Sequence, residues 1–293
     1  MRSRLLDIFV ALDDVYSGWI LWNLFLAFVP LVLSFVLFRK GAIAQRWLWW
    51  ACGAVGFVGF LGFVPRYRHY IDAAKGWVRS ALAGDGMALL ALLALGVLSL
   101  GAIGAGAWLL RQPPTLRKRL QPLFWWVGLV TYVAFMPNAP YLLTDIIHLI
   151  RGTSSGQVAT WIVALVFIPL HVAAILIGFE AYVLALLNQN YFLKQRGWGA
   201  WILPAELTMH GLNAIGIYLG RFIRFNSWDL VADPSSVVVI TLNTLTERRP
   251  LFVIFVTFVI LTVFYWIMKQ ITLGLKLRVH YARRGLDVMG TDL

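Results

Sequence analysis

The sequence is short of charge, and of negative charge above all. Only 13% of its 293 residues are charged, whereas 60% are hydrophobic. A soluble domain carries about a quarter charged residues, so this set is too small to cover a water-exposed surface. Lipid must replace water over much of the exterior. Cysteine is almost missing too. Cys52 stands alone, which excludes an intrachain disulfide and a cysteine-based metal site. No serine-nucleophile elbow, phosphate-binding loop, zinc-binding helix motif or haem-attachment sequence occurs. That argues against soluble-type catalysis but not against an intramembrane enzyme, whose motifs are short. Arg2 and Arg4 open the chain, but Asp7, Asp13 and Asp14 break up the apolar stretch after them, a poor signal-peptide core. Leu5 to Tyr16 reads instead as an interfacial helix leading into a first span.

What is present is a series of long apolar runs. A helix crossing roughly 30 Å of hydrocarbon needs about 20 apolar residues. Seven segments meet or approach that length: Trp19–Phe38, Trp47–Val64, Gly86–Leu110, Leu123–Met136, Trp161–Leu187, Trp198–Leu219 and Leu251–Ile271. The fourth is short unless residues before Leu123 join it. The runs are continuous and lack the ten-residue alternation of barrel strands. The expected fold is therefore an all-α, polytopic transmembrane helix bundle with short interfacial or re-entrant helices. The chain reads as one integral membrane domain. Its motifs fall within about residues 86–271, with the first two spans as an addition.

Net charge is +12, which alone could suggest nucleic acid. The positions argue otherwise: Arg39, Lys40, Arg46, Arg117, Lys118 and Arg119 flank apolar runs, as snorkelling and positive-inside residues do. The expected partner is the bilayer, including anionic headgroups or a lipid-linked substrate, and not nucleic acid. Lys and Arg are densest in the short loops after spans one, three and five. This places the N-terminus outside and the C-terminus inside a bacterial-type cytoplasmic membrane. No cofactor or metal is expected.

Gly53, Gly56, Gly59 and Gly62 recur every three residues in the second span, a ridge on which a neighbouring helix could pack closely. Gly101, Gly104 and Gly106 suggest the same for the third. Between these spans, Tyr67, Tyr70, Ile71, Ala74, Trp77, Val78 and Ala81 keep helical spacing, and Arg66, Arg68, Asp72, Lys75 and Arg79 fall mostly on other faces. That pattern predicts an amphipathic helix lying in the interface.

Two polar segments are unlike ordinary connectors. The first is Pro137-Asn138-Ala139-Pro140-Tyr141, running on through Thr144, Asp145 and His148 to Arg151. The prolines should stop the incoming helix, and Asn138 should cap a new one. Tyr141, Thr144, Asp145, His148 and Arg151 then share a stripe at spacings of three and four. The second is Leu219-Gly220-Arg221-Phe222-Ile223-Arg224-Phe225-Asn226-Ser227-Trp228-Asp229. Arg221 and Arg224, one turn apart, could present two guanidinium forks to one anion. Asp233-Pro234 resembles a cap and first turn of a short helix running to about Leu245. Two spans separate the segments, so they emerge on the same side and could meet in one polar extracytoplasmic pocket.

These two runs resemble the signatures of the family called domain of unknown function 1361. The resemblance implies a bacterial multi-pass membrane protein and supplies no reaction.

Several chemistries compete for these residues. Asp145, His148 and Asp229 could ligate a divalent metal; more commonly, Asp145 would pair with Arg221 or Arg224 and tie the segments together. In the leading reading, a binding pocket for an anionic lipid or partner group uses Asn138, Tyr141, Thr144, Arg221, Arg224, Asn226, Trp228 and Asp229. An enzyme acting on lipid-linked envelope precursors would use His148 as general acid or base, oriented by Asp145. A proton-coupled transporter would use Glu206 and His210, which lie four apart inside the sixth span; the blander role for that pair is a buried hydrogen-bonded contact ordering the bundle. Asn213 and His171 are further polar groups within spans, while Glu180 reads as reaching toward an interface.

Overall fold

The computed structural model describes residues 7–8, 10–12, 19–39, 45–87, 89–90, 93, 114–154, 158–225 and 233–285. Among them the chain is helical throughout, with no strand. The main helices are α1 (Trp19–Phe38), α2 (Gln45–Leu82), α3 (Pro114–Phe135), α4 (Ile146–Thr153), α5 (Ile168–Gln195), α6 (Ile202–Tyr218), α7 (Pro234–Thr246) and α8 (Arg248–Ala282).

Among the described residues, four helices are long and apolar enough to cross a membrane: Trp19–Phe38, Arg119–Asp145, Thr160–Gln195 and Arg248–Ala282. They correspond to the first, fourth, fifth and seventh expected spans. The fourth gains its length from residues before Leu123. The second expected span has a shorter apolar stretch, Trp49–Val64, and the sixth is α6, of 17 residues. Most of Gly86–Leu110, with Gly101, Gly104 and Gly106, lies outside the described residues. The amphipathic segment after the second span is not a separate helix. It continues α2 without a break to Leu82, through Pro65. Large apolar side chains such as Trp49, Trp50, Phe57, Leu165, Phe252 and Trp266 are exposed, the inverse of a water-soluble exterior.

α1 is the hub, packing against α2, α3 and α5. Its far end is fastened by polar side chains. Asn188 donates to the buried Ser34 hydroxyl at 2.9 Å, and Arg39 donates to Asn188 Oδ1 at 3.1 Å. Arg39 also lies 4.0 Å from the Tyr191 ring centroid. Trp125 of α3 donates to the Leu37 carbonyl. The last turns of α1 and α5 and the first half of α3 therefore share one end of the bundle. Tyr132, Met136, Tyr182 and Leu186 fill the centre.

The glycine ridge is only half used. A side chain at Gly59 would strike the Phe25 ring, and one at Gly62 the Trp22 backbone, but Gly53 and Gly56 face nothing within 4 Å. Each step of three residues turns back about 60° around a helix. Gly53 consequently points away from the face that Gly62 presents to α1.

Candidate functional site

The end of the bundle opposite Arg39 is built around the proline-rich segment. α3 stops at Phe135, and the chain continues in three short pieces: Asn138–Tyr141, a 3-10 turn Leu142–Asp145, and α4. The cap differs from the sequence expectation: Pro137 occupies the N-cap, and the Asn138 amide instead donates back to the Phe135 carbonyl at 3.0 Å. A carbonyl freed at the end of α3 is thereby satisfied. Missing side chains make room for this hairpin. A Cβ on Gly216 would lie 2.5 Å from the Pro137 ring, and one on Gly178 would collide with Leu142. Gly220 receives the Tyr141 ring in the same way.

The two polar segments meet. Arg221 Nη2 lies 2.6 Å from Asp145 Oδ1, and both side chains are largely buried. Arg221 also donates to the Thr144 hydroxyl, from Nε at 3.1 Å and from Nη2 at 2.8 Å, and its guanidinium stands 4.4 Å above the Tyr141 ring. The other carboxylate oxygen, Asp145 Oδ2, accepts from Asn23 of α1 at 2.7 Å. Beneath it, buried His171 brings Nε2 to 3.4 Å from the Asp145 carbonyl. Asn23 carried no sequence signal, since a single Asn in an apolar run shows no spacing that names its partner.

Arg224 does not join Arg221. Residues Leu219–Ile223 form a π turn, after which Arg224 takes the left-handed conformation at φ 68°. The wider turn and the reversed residue abolish the helical register that would have aligned the two forks. Arg224 is exposed and, among the described residues, makes no ion pair or side-chain hydrogen bond. It borders a cavity of about 880 Å³ between α1, α3, α6 and α7, together with Asn23, Asn138 and Tyr141. The walls are chiefly apolar: Trp22, Leu26, Trp126, Val130, Val133, Leu212, Ile215 and Val238 contribute. Thr144, Asp145 and Arg221 are not in this lining. Asn226, Trp228 and Asp229 lie outside the described residues, as do the side chains of His148 and Arg151. The helix expected after Asp233-Pro234 is present as α7, with Asp233 accepting from the Ser236 N–H at 3.1 Å. Hydrogen bonds from Ser236 and Ser235 hold the exposed Asp233 carboxyl below its ordinary range.

A second polar cluster occupies the seam of α5, α6 and α8. Glu206 and His210 share a face, as their spacing required, yet they do not bond to each other. Glu206 Oε1 gathers Lys269 at 2.6 Å, Asn190 at 2.5 Å and the Tyr265 hydroxyl. His210 Nδ1 pairs with the Tyr182 hydroxyl, which also accepts from Asn213 at 3.2 Å. Asn190, Tyr182, Tyr265 and Lys269 were not foreseen. Lys269 sits in an apolar run, where only a spatial partner distinguishes it from a snorkelling lysine.

Residues 95–263 match the model of a family described as protein of unknown function, DUF1361. The chain belongs to this family. The matched segment contains both polar runs and leaves α1 and α2 outside, so Asn23 reaches into the DUF1361 region from beyond it. No curated protein and no solved structure matches the chain.

Proposed function

We propose that this DUF1361 chain is a multi-pass membrane protein that binds an anionic lipid, or the anionic group of a lipid-linked substrate, in the cavity beside Arg224. One observation carries the reading: a largely apolar cavity of about 880 Å³ is bordered at the hairpin end by an arginine with no ion-pair partner among the described residues. Apolar walls suit hydrocarbon, and a guanidinium with five donors and no acceptor suits phosphate or carboxylate. Tyr141, whose hydroxyl donates no hydrogen bond among the described residues, supplies a second donor along the same wall. A cleft of this size lies within the usual range for small-molecule sites.

The opposite end of the bundle carries Arg39, Lys194 and Arg196, which supports a cytoplasmic assignment there and an extracytoplasmic one for the hairpin. Asp145 has both carboxylate oxygens engaged, by Arg221 and Asn23. That favours a structural role for Asp145 over the orientation of His148 for catalysis, and so favours binding over the enzyme reading.

The test uses the full chain in nanodiscs containing phosphatidylglycerol and phosphatidylcholine, with retained lipid identified by native mass spectrometry. Arg224→Ala should lower retained anionic lipid about tenfold, the equivalent of about 1.4 kcal/mol, with unchanged yield. Equal retention by the variant at equal yield removes the proposal. Adding a polyprenyl phosphate to the same discs separates a lipid-linked ligand from an ordinary headgroup.

A further inference from the structure

The cavity beside Arg224 gathers its polar groups at one end. Asn23, Asn138, Tyr141 and Arg224 all border it at the hairpin. Asn23 is tied there through Asp145 at 2.7 Å, Asn138 is held by the Phe135 carbonyl, and Arg224 follows the last turn of α6. Thr241 of α7, also in the lining, turns its hydroxyl to the Val237 carbonyl at 2.6 Å. Away from the hairpin the walls are apolar, with Leu26 on α1, Leu129, Val130 and Trp126 on α3, and Leu212 on α6. A small anion would leave that length of wall unused. An amphiphile matches it at both ends.

The depth corresponds to one leaflet. On α3 the lining runs from Ala134 down to Trp126, about 12 Å at 1.5 Å of rise per residue, and it begins below the turn that carries Asn138. A single leaflet contributes about 15 Å of hydrocarbon, half of the bilayer's roughly 30 Å. The cavity therefore reaches from the hairpin face to near the bilayer midplane.

Its side is open. α3 packs against α1, whereas α6 and α7 pack against α8, and the cavity lies between these two groups. The residues at its edge are bare: Trp126 is 60%, Val130 66% and Leu212 43% exposed. In a membrane those side chains face hydrocarbon. A lipid sliding between α3 and α6 keeps its tail in hydrocarbon and its head at the interface, so neither part pays for a transfer through water.

We infer that the cavity is a lateral slot for one chain of a lipid from the hairpin-side leaflet. The lipid enters from the bilayer between α3 and α6, with its anionic head at Arg224 and its chain running down α3 to Trp126. This rests on lipid capture at Arg224 and adds the source, route and orientation of the ligand.

The test uses the full chain in phosphatidylcholine nanodiscs containing phosphatidylglycerol with a photoreactive diazirine midway along one acyl chain. Labelled peptides are mapped by mass spectrometry. Label should concentrate on Leu26, Leu129 and Ile215 inside the slot. Val130→Trp combined with Leu212→Trp, at two exposed positions beside the entry, should cut that labelling about tenfold at unchanged yield. Excess inorganic phosphate should leave the pattern as it is. Label confined to outer helix faces overturns the slot; if Arg224→Ala still lowers retained phosphatidylglycerol in that case, the head site stands without it. Retention indifferent to Arg224 removes the head site and the slot together. Slot labelling that survives the double variant refutes entry between α3 and α6, and displacement by phosphate assigns the cavity to a soluble anion. Should the double variant fail to accumulate, the wild-type label pattern and the phosphate competition decide.

Discussion

The hairpin end and the α5–α6–α8 seam are both organised by a buried carboxylate paired with a cation, but they distribute their donors differently. At the hairpin, Asp145 divides its two oxygens between Arg221 and Asn23, so one carboxylate clasps three segments that are distant in sequence. In the seam, one oxygen of Glu206 collects three donors, and none of these residues lines the cavity beside Arg224. At the hairpin a second arginine, Arg224, borders a cleft. The comparison separates a closed polar contact, which orders the bundle, from an open one, which can still accept a ligand.

Breaking each pair should expose that difference. Asp145→Ala removes the carboxylate paired with the largely buried Arg221 guanidinium, and should cost about 3–5 kcal/mol. It would be read as a large fall in Tm in lipid bicelles. A near-normal Tm would mean that Arg221 finds another acceptor and that the clasp is dispensable. Lys269→Met should cost less, about 1–3 kcal/mol, since Tyr265 and Asn190 continue to donate to Glu206. Chemical denaturation of the same preparation measures it, and a loss equal to that of Asp145→Ala would erase the proposed distinction.

Arg224→Gly sharpens the comparison in the other direction. Glycine adopts the left-handed conformation without the Cβ penalty, so this variant should gain about 0.5–1 kcal/mol in stability while losing anionic lipid. A stability gain without loss of lipid would make Arg224 a strained bystander. The smallest effect is expected at the cap of α7. Asp233 has its carboxyl held below the ordinary range by Ser236 and Ser235. Its contribution is present above the unfolded carboxylate pKa and disappears as pH falls through the lower folded value. Hydrogen exchange at the first amides of α7 should accelerate on acidification in the wild type. In Asp233→Ala it should be fast at both pH values.

Residue pattern and spatial arrangement contributed unequally to this picture. Helical class, the apolar exterior, the helix after Asp233 and the shared side of the two polar segments were all legible in the sequence. Each derives from composition, local periodicity or counting crossings. The division of labour between Arg221 and Arg224 was not legible. Spacing assumes an unbroken α-helix, and the π turn at Leu219–Ile223 with the reversed Arg224 removes that assumption. The glycine ridge misled for a related reason: spacing of three winds around a helix instead of keeping to one face.

By itself the sequence determined where chain segments must be helical and which of them shun water, because those choices depend on backbone hydrogen bonding and on the transfer of each side chain. Tertiary structure alone decided that Asn23 would complete the Asp145 clasp and that Lys269 would neutralise Glu206. Such pairings join residues far apart in the chain. They depend on how helices rotate and cross, and no local pattern encodes that angle.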